Sequence, residues 1–258
     1  MRSDKPKDAA VFEPIGYLES CYKDKFGVPR QAGLAPASRG FLRVRSDLQP
    51  ELALQGLEGF SHLWLITVFH RNDQARFRAK IHPPRLGGET RGIFATRTPH
   101  RPNPIGLSLV ELLEVRADGL VVGGLDLMDG TPVLDIKPYL PEIEALPTAR
   151  SAWVPPRHEG LLEVVFTDEA ETALQEWQTS ESRGNLREII SQTIRQDPRP
   201  LLYRDDNEID PRRTWHAFRL FDGDVHFRLR SGVAEVFKII SIFGGPEESP
   251  LRNNPRSP

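Results

Sequence analysis

Short alternating segments dominate the first half of the chain. Within residues 41–45 (FLRVR) apolar and basic positions alternate, as a half-buried strand requires. Residues 62–70 (HLWLITVFH) are a β-branched and aromatic run that reads as a core strand. Residues 108–115 and 120–127 flank the turn signal Ala117-Asp118-Gly119 and predict a hairpin. A second Asp-Gly pair, Asp129-Gly130, leads into a strand over residues 131–137. Short strands, turn signals and little helix over residues 11–150 predict a sandwich or a closed barrel. The 23 prolines among 258 residues agree, because proline breaks helices and gathers at turns and sheet edges.

The pattern changes beyond residues 138–156, a stretch of Pro, Ala and charge that reads as a linker. Residues 161–166 predict a strand, and Thr167 is placed to cap a helix running to about residue 181. Asn185 with Glu188 three positions later resembles a capping box opening a second helix, which must stop near Asp197-Pro198. Residues 214–221 and 225–229 bracket Asp222-Gly223, and Gly232 opens a last strand over residues 233–242. A small α+β domain is expected over residues 160–243, followed by a disordered tail at 244–258.

Charge and cysteine content narrow the setting. Lys and Arg total 34 against 36 Asp and Glu, a net charge of -2, which excludes a histone-like binder and leaves room for a local basic face. The lone cysteine, Cys21, has no intrachain partner, so a reducing, cytoplasmic location is expected. Residues 1–8 are charged and lack the apolar core of a signal peptide. The longest apolar runs fall far short of the ~20 residues that span a bilayer, so no membrane association is expected.

Familiar catalytic templates are missing: no Gly-x-Gly-x-x-Gly between a strand and a helix, no phosphate-binding loop, no Gly-x-Ser-x-Gly, and no cysteine or histidine cluster for a metal. Rigid polar segments remain. In residues 94–106 (FATRTPHRPNPIG) three prolines stiffen a loop carrying Arg97, Arg101 and Asn103; it reads either as a ligand clamp or as a barrel loop with solvated arginines. Residues 128–139 (MDGTPVLDIKPY) offer a turn and then Asp135 and Lys137 on one strand face, with Ile136 on the other. A buried Asp beside Lys is an acid–base candidate; the alternative is a surface ion pair. From residue 196 onward, arginines interleaved with Tyr203, Trp215 and Phe218 suit RNA phosphates and bases, or pair with Asp205, Asp206, Glu208 and Asp210.

Taken in order, KFGVPRQAG (25–33), LEGFSHLWLITVFH (57–70), PPRLGG (83–88), GIFATRTPHRPNPIGLSLVE (92–111), LDLMDGTPVLDIKPYLP (125–141) and QDPRP (196–200) with Tyr203-Arg204 resemble the TrmO (TsaA-like) family of tRNA methyltransferases. The resemblance covers residues 11–242. It implies a mainly β fold: a single-sheet β-barrel catalytic domain followed by a small α+β C-terminal domain that grips tRNA. It also implies S-adenosylmethionine as cofactor, held near a homodimer interface, and methylation of the N6 nitrogen of threonylcarbamoyladenosine at tRNA position 37. No metal is implied. The family's cofactor contacts map onto Pro29, Arg30, Gln31, His70, Arg71, Arg97, Leu107, Asp129, Gly130, Thr131 and Pro132. Arg71 stands where relatives often carry Gln, so a backbone contact is expected there. Asp135, Arg101, Asn103, Lys137 and Tyr139 match positions facing the active site, with Asp135 the first choice of base and His70 the second. Arg199, Tyr203 and Arg204 are the expected RNA contacts. An RNA-binding barrel without catalysis, or methylation of another adenosine derivative, are the competing readings.

Overall fold

The computed structural model describes residues 11–72, 77–83, 86, 89–152, 161–178, 184–199, 215–230 and 232–241. Its first part contains β1 (Gly16–Ser20), β2 (Arg39–Val44), a short α1 (Pro50–Ala53), β3 (His62–Val68), the two-residue pair β4 (Lys80–Ile81) and β5 (Arg91–Gly92), β6 (Ile105–Arg116), β7 (Gly119–Gly123), β8 (Thr131–Pro138) and a short α2 (Pro141–Glu144). Six of these close into one barrel in the order β1-β2-β7-β6-β3-β8, with β8 pairing back onto β1. Of the two architectures the strand pattern allowed, the closed barrel is the one formed. Closure removes the open sheet edges that short strands would otherwise expose.

Period-two alternation fills the barrel. Leu18 on β1, Leu42 on β2, Leu63 and Leu65 on β3, Val110 on β6, Leu120 and Val122 on β7 and Val133 on β8 are buried together. β1 escapes a pattern search because GYLES turns only Gly16, Leu18 and Ser20 inward. The hairpin turn at Ala117-Asp118 forms as expected, yet β7 ends at Gly123 rather than continuing to residue 127. Gly124 adopts φ +69° and leads the chain out of the sheet. Leu125 N–H then donates to Ser38 Oγ at 2.7 Å, and the Leu127 carbonyl accepts from Ser20 Oγ at 2.7 Å.

The second part contains β9 (Glu163–Phe166), α3 (Asp168–Trp177), α4 (Leu186–Arg195), β10 (His216–Leu220), β11 (Gly223–Arg230) and β12 (Val233–Ser241). The strands order as β10-β11-β12-β9, with β9 parallel to β12. Both expected caps form: Thr167 Oγ1 accepts from the Ala170 N–H at 3.3 Å, and Asn185 Oδ1 from the Glu188 N–H at 3.1 Å. α3 stops at Trp177, short of residue 181; its indole donates to Asp222 and its ring lies on Gly223. The expected linker contains α2 and runs into residues 153–160, which lie outside those described, as does the tail at 244–258.

The two parts share one hydrophobic core. Tyr22, fully buried, bridges to Leu220 of β10, and its hydroxyl meets Thr193 Oγ1 of α4 at 3.3 Å. Phe221 N–H donates to the Cys21 carbonyl at 2.7 Å, and Ala37 N–H to Gln192 Oε1 at 2.8 Å. Among the described residues no helix is long and apolar enough to cross a membrane.

Gly27 lies on this seam at φ +95°, and a Cβ there would stand 2.8 Å from the Phe218 ring. Gly27→Ala combines backbone strain with overpacking and is expected to destabilise the fold by about 2 kcal/mol in urea denaturation. Unchanged stability would show that the seam yields freely.

Candidate functional site at one end of the barrel

The strand directions carry most of the candidate residues to one end of the barrel. β1 exits there into Ser20–Lys23, β3 into His70 and Arg71, and β7 into the 124–130 stretch, while β6 and β8 enter there with Leu107 and Thr131. The Asp129-Gly130 turn is pinned from several sides. Asp129 Oδ1 accepts from the Ser20 N–H at 2.9 Å and pairs with Lys23 Nζ at 2.9 Å, and Gly130 N–H donates to the Leu18 carbonyl. Gly130 takes φ +72°, and its hydrogen-bearing face lies toward His70, with Nε2 4.0 Å from where a Cβ would stand. Arg71 Nη1 donates to the Lys23 carbonyl at 3.2 Å, which ties the end of β3 to the same corner.

A second knot forms around the 29–33 loop. Arg97 Nη1 donates to Gln31 Oε1 at 2.8 Å, joining segments 66 residues apart. Arg30 Nη2 donates to the Asp197 carbonyl at 3.1 Å, and Pro29 is buried. The proline loop is stapled to the end of β3: Phe69 N–H donates to the Pro104 carbonyl at 2.8 Å and Asn72 Nδ2 to the Pro99 carbonyl at 2.6 Å. Arg101 lies over the Phe94 ring while its Nη1 donates to the carbonyls of Thr96 and Ile93. Asn103 is exposed beside it. A cavity of about 310 Å³ lies between residues 25–30 and the end of α4, lined by Lys25, Phe26, Pro29, Arg30, Gln196 and Pro198 among others.

Asp135 departs from the expectation of a buried carboxylate. In β8 Thr131 and Val133 face inward, so simple alternation would carry Asp135 inward as well. A bulge at Leu134 intervenes: Thr67 pairs with Val133 and Ile66 with Asp135, so Asp135 and Lys137 face outward and Ile136 takes the inner place. The two charged groups meet at 3.0 Å with 48% of the Asp135 side chain exposed, a surface ion pair on the outer face. There Ile66 separates Asp135 from Leu107 of β6. Tyr139 lies further away. Its N–H donates to the His62 carbonyl and its ring meets Trp64 edge-on, a whole strand from His70, roughly 25 Å at 3.3 Å per residue. One chain therefore gathers the cofactor candidates at one end and spreads Asp135, Lys137 and Tyr139 along the outer face.

Arg199, an expected RNA contact, is held within its own loop. It is 7% exposed, and its guanidinium holds the Asp197 carboxylate at 2.9 and 3.2 Å, so it orders its own loop. Tyr203 and Arg204 lie outside the described residues. Sequence reasoning passed over Lys23, Thr67, Ser108 and Asp126, all at this end. Thr67 Oγ1 is buried without a hydrogen-bond partner and faces Gly106, where a Cβ would come within 2.5 Å. Asp126 signals itself only as a charge between two buried leucines, Leu125 and Leu127. Among the described residues no three His, Cys, Asp or Glu side chains are grouped to hold a metal. Burial pushes the Cys21 thiol up to about 12, which leaves it inert as a nucleophile.

Partial desolvation and then the adjacent Arg71 charge lower the His70 pKa below its ordinary value. An unfolded chain takes up this proton first, so as pH falls from about 6.5 toward the lowered value, His70 removes stability from the fold. NMR titration is expected to place its midpoint below 6.5. Acidification from pH 7.5 to 5.5 should destabilise His70→Gln less than the parent; equal losses would contradict the shift.

Comparison with known proteins gives this geometry a family. Residues 17–145 match the tRNA-methyltransferase O N-terminal domain and residues 159–242 the TrmO C-terminal domain. The tRNA (adenine(37)-N6)-methyltransferase of Escherichia coli (strain K12) is 44% identical over 234 residues, covering 88% of this chain and 97% of that protein. The protein of the same name from Mus musculus is 50% identical over 135 residues, 52% of this chain and 31% of that one. The crystal structure of TrmO from Pseudomonas aeruginosa superposes with a TM-score of 0.74 at 36% identity, covering 91% of this chain and all of that one. With both of its regions matched and most of its length aligned, the chain belongs to the tRNA-methyltransferase O family.

Proposed function

We propose that this protein transfers a methyl group from S-adenosylmethionine to the N6 nitrogen of adenine 37 in tRNA, on a base already carrying a threonylcarbamoyl group. We further propose that it works as a homodimer in the cytoplasm. The observation that carries the reading is the match of both regions to the family's two domains, with 44% identity to an enzyme named for that reaction.

The residues fit the cofactor in kind. A sulfonium nucleoside with an amino-acid end needs backbone groups for its purine, acceptors for its hydroxyls and a cation for its carboxylate. Asp129 to Pro132, Gln31, Arg97 and the unpartnered Thr67 hydroxyl supply such groups at one end, beside His70 and Arg71. Pro29, Arg30 and Leu107 complete the set we assign to it. When bound, S-adenosylmethionine would supply an electrophilic methyl group on a cationic sulfur, the remainder departing as a neutral thioether.

The protein then has to align an in-line displacement and deal with one proton. The acceptor nitrogen belongs to a urea and is a poor nucleophile while it keeps its hydrogen. Asp135 takes that proton as the new N–C bond forms, with His70 the second choice; Lys137 at 3.0 Å orients the carboxylate. Arg101, Nη1 fixed to its own loop, and Asn103 present donors to the threonyl carboxylate. A second copy of the chain on the outer face of β3 and β6 explains the exposed apolar side chains Ile105 and Leu107 there. It also brings Asp135, Lys137 and Tyr139 into an enclosed site.

Labelled S-adenosylmethionine with two tRNA pools tests the reaction, one pool carrying threonylcarbamoyladenosine and one from cells unable to make it. Label is expected in the first pool alone. Label in both would overturn the substrate, and label in neither would favour another acceptor, or RNA binding without catalysis if the cofactor also fails to bind. Asp135→Asn is expected to slow transfer by at least ~100-fold with cofactor affinity unchanged; a near-parental rate would move the base elsewhere.

A further inference from the structure

Asp126 itself is in none of the candidate site sets, yet three segments that supply them meet at its carboxyl group. Oδ1 accepts from Ser108 Oγ at 2.6 Å, and Ser108 follows Leu107 on the inward side of β6. The backbone N–H of Ala32, next to Gln31, donates to the same carboxyl. The Arg97 guanidinium acts on it through space while donating to Gln31 Oε1 at 2.8 Å. Three residues onward the chain enters the Asp129-Gly130 turn.

The side chain is mostly buried between the fully buried Leu125 and the nearly buried Leu127. A carboxylate in such a place is costly unless its partners hold it, and each of these partners is, or adjoins, a candidate cofactor residue. Loss of water drives its pKa up, opposed by the Ser108 and Ala32 donors and by Arg97. Tyr22 is coupled to it electrostatically; that phenol is driven far above its ordinary value, chiefly by burial, and stays neutral. Arg97 and Tyr22 are thus the titratable groups that bear on Asp126 among the described residues.

We infer that Asp126 is the positioning residue of the cofactor site: it holds the 29–32 loop and Arg97 against the barrel end, so that residues from distant segments keep their relative places. This inference rests on the cofactor reading above. Its role is indirect, through Ala32 and Arg97, so it affects any ligand that uses that loop, whatever the charge on the ligand's sulfur.

Calorimetric binding of S-adenosylmethionine and of S-adenosylhomocysteine, which lacks the cationic sulfur, to the purified full chain tests it. Asp126→Ala is expected to weaken both ligands by ~10-fold or more, the scale of a lost buried charged anchor. Asp126→Asn keeps an acceptor for one donor and should recover part of the loss. Ser108→Ala should weaken both ligands by a smaller factor, and these two variants carry the comparison if the alanine variant fails to fold. As pH drops through the raised carboxyl pKa, parental affinity should fall more steeply than that of Asp126→Asn, which keeps only the His70 contribution. Unchanged affinity in all three variants, or the same pH profile in parent and Asn variant, would overturn the inference. Loss confined to S-adenosylmethionine would also overturn it, in favour of direct contact with the positive sulfur. A parent protein that binds neither ligand would instead sink the cofactor reading together with this one.

Discussion

Everything at the candidate end of this molecule hangs on the tripeptide Ser20-Cys21-Tyr22, which ends β1 and leads out of it. Ser20 donates its N–H to Asp129 and its hydroxyl to the Leu127 carbonyl, and the Tyr22 carbonyl accepts from the Asp129 N–H. On its other side the same segment meets the C-terminal sheet through Cys21, Tyr22 and Leu220, while the Tyr22 hydroxyl reaches α4. A buried tyrosine and a short run of backbone groups therefore set both the turn that borders the site and the seat of the second layer. Buried backbone groups must be paired, so neither can shift without the other.

That coupling explains how loops without regular structure can form a defined site. The 29–33 loop is anchored to Gly124 by backbone, to Arg97 through Gln31 and to the C-terminal layer through Arg30. Prolines stiffen the loop carrying Arg101 and Asn103, and the end of β3 clamps it. Ordering on ligand binding is then small, because most of it is already done by folding. Charges near the site are mutually held: Lys23 with Asp129, Arg97 near Asp126, Lys137 with Asp135. A near-neutral chain can in this way present local fields that its net charge hides.

Much of the fold was legible in the sequence, for local reasons. β3 follows from one β-branched, aromatic run, and the two helix starts from Thr167 and Asn185, whose side chains cap the helices they precede. β1 was not legible, because a strand with one large inward residue has no period to read. The end of β7 depended on Gly124 and on Ser38, 87 residues away from the amide it holds. In the site, the polar segments and their order could be read, but Asp126 and Thr67 could not. Their significance lies in partners, or the lack of one, that only folding assigns.

The chain by itself determined most of the strands and both longer helices, the turn at Asp129-Gly130, the stiff proline loop and the family motifs, since each of these is written in neighbouring residues. Tertiary structure alone decided which way the chemistry faces. Register in β8 shifts by one residue at Leu134, and that shift moves Asp135 and Lys137 from the inside of the barrel to its outer face. Pairing of β8 with β3 likewise set Tyr139 a strand's length from His70. A side chain's direction in a sheet depends on pairing with a strand far away in sequence, and no local pattern records where that pairing slips.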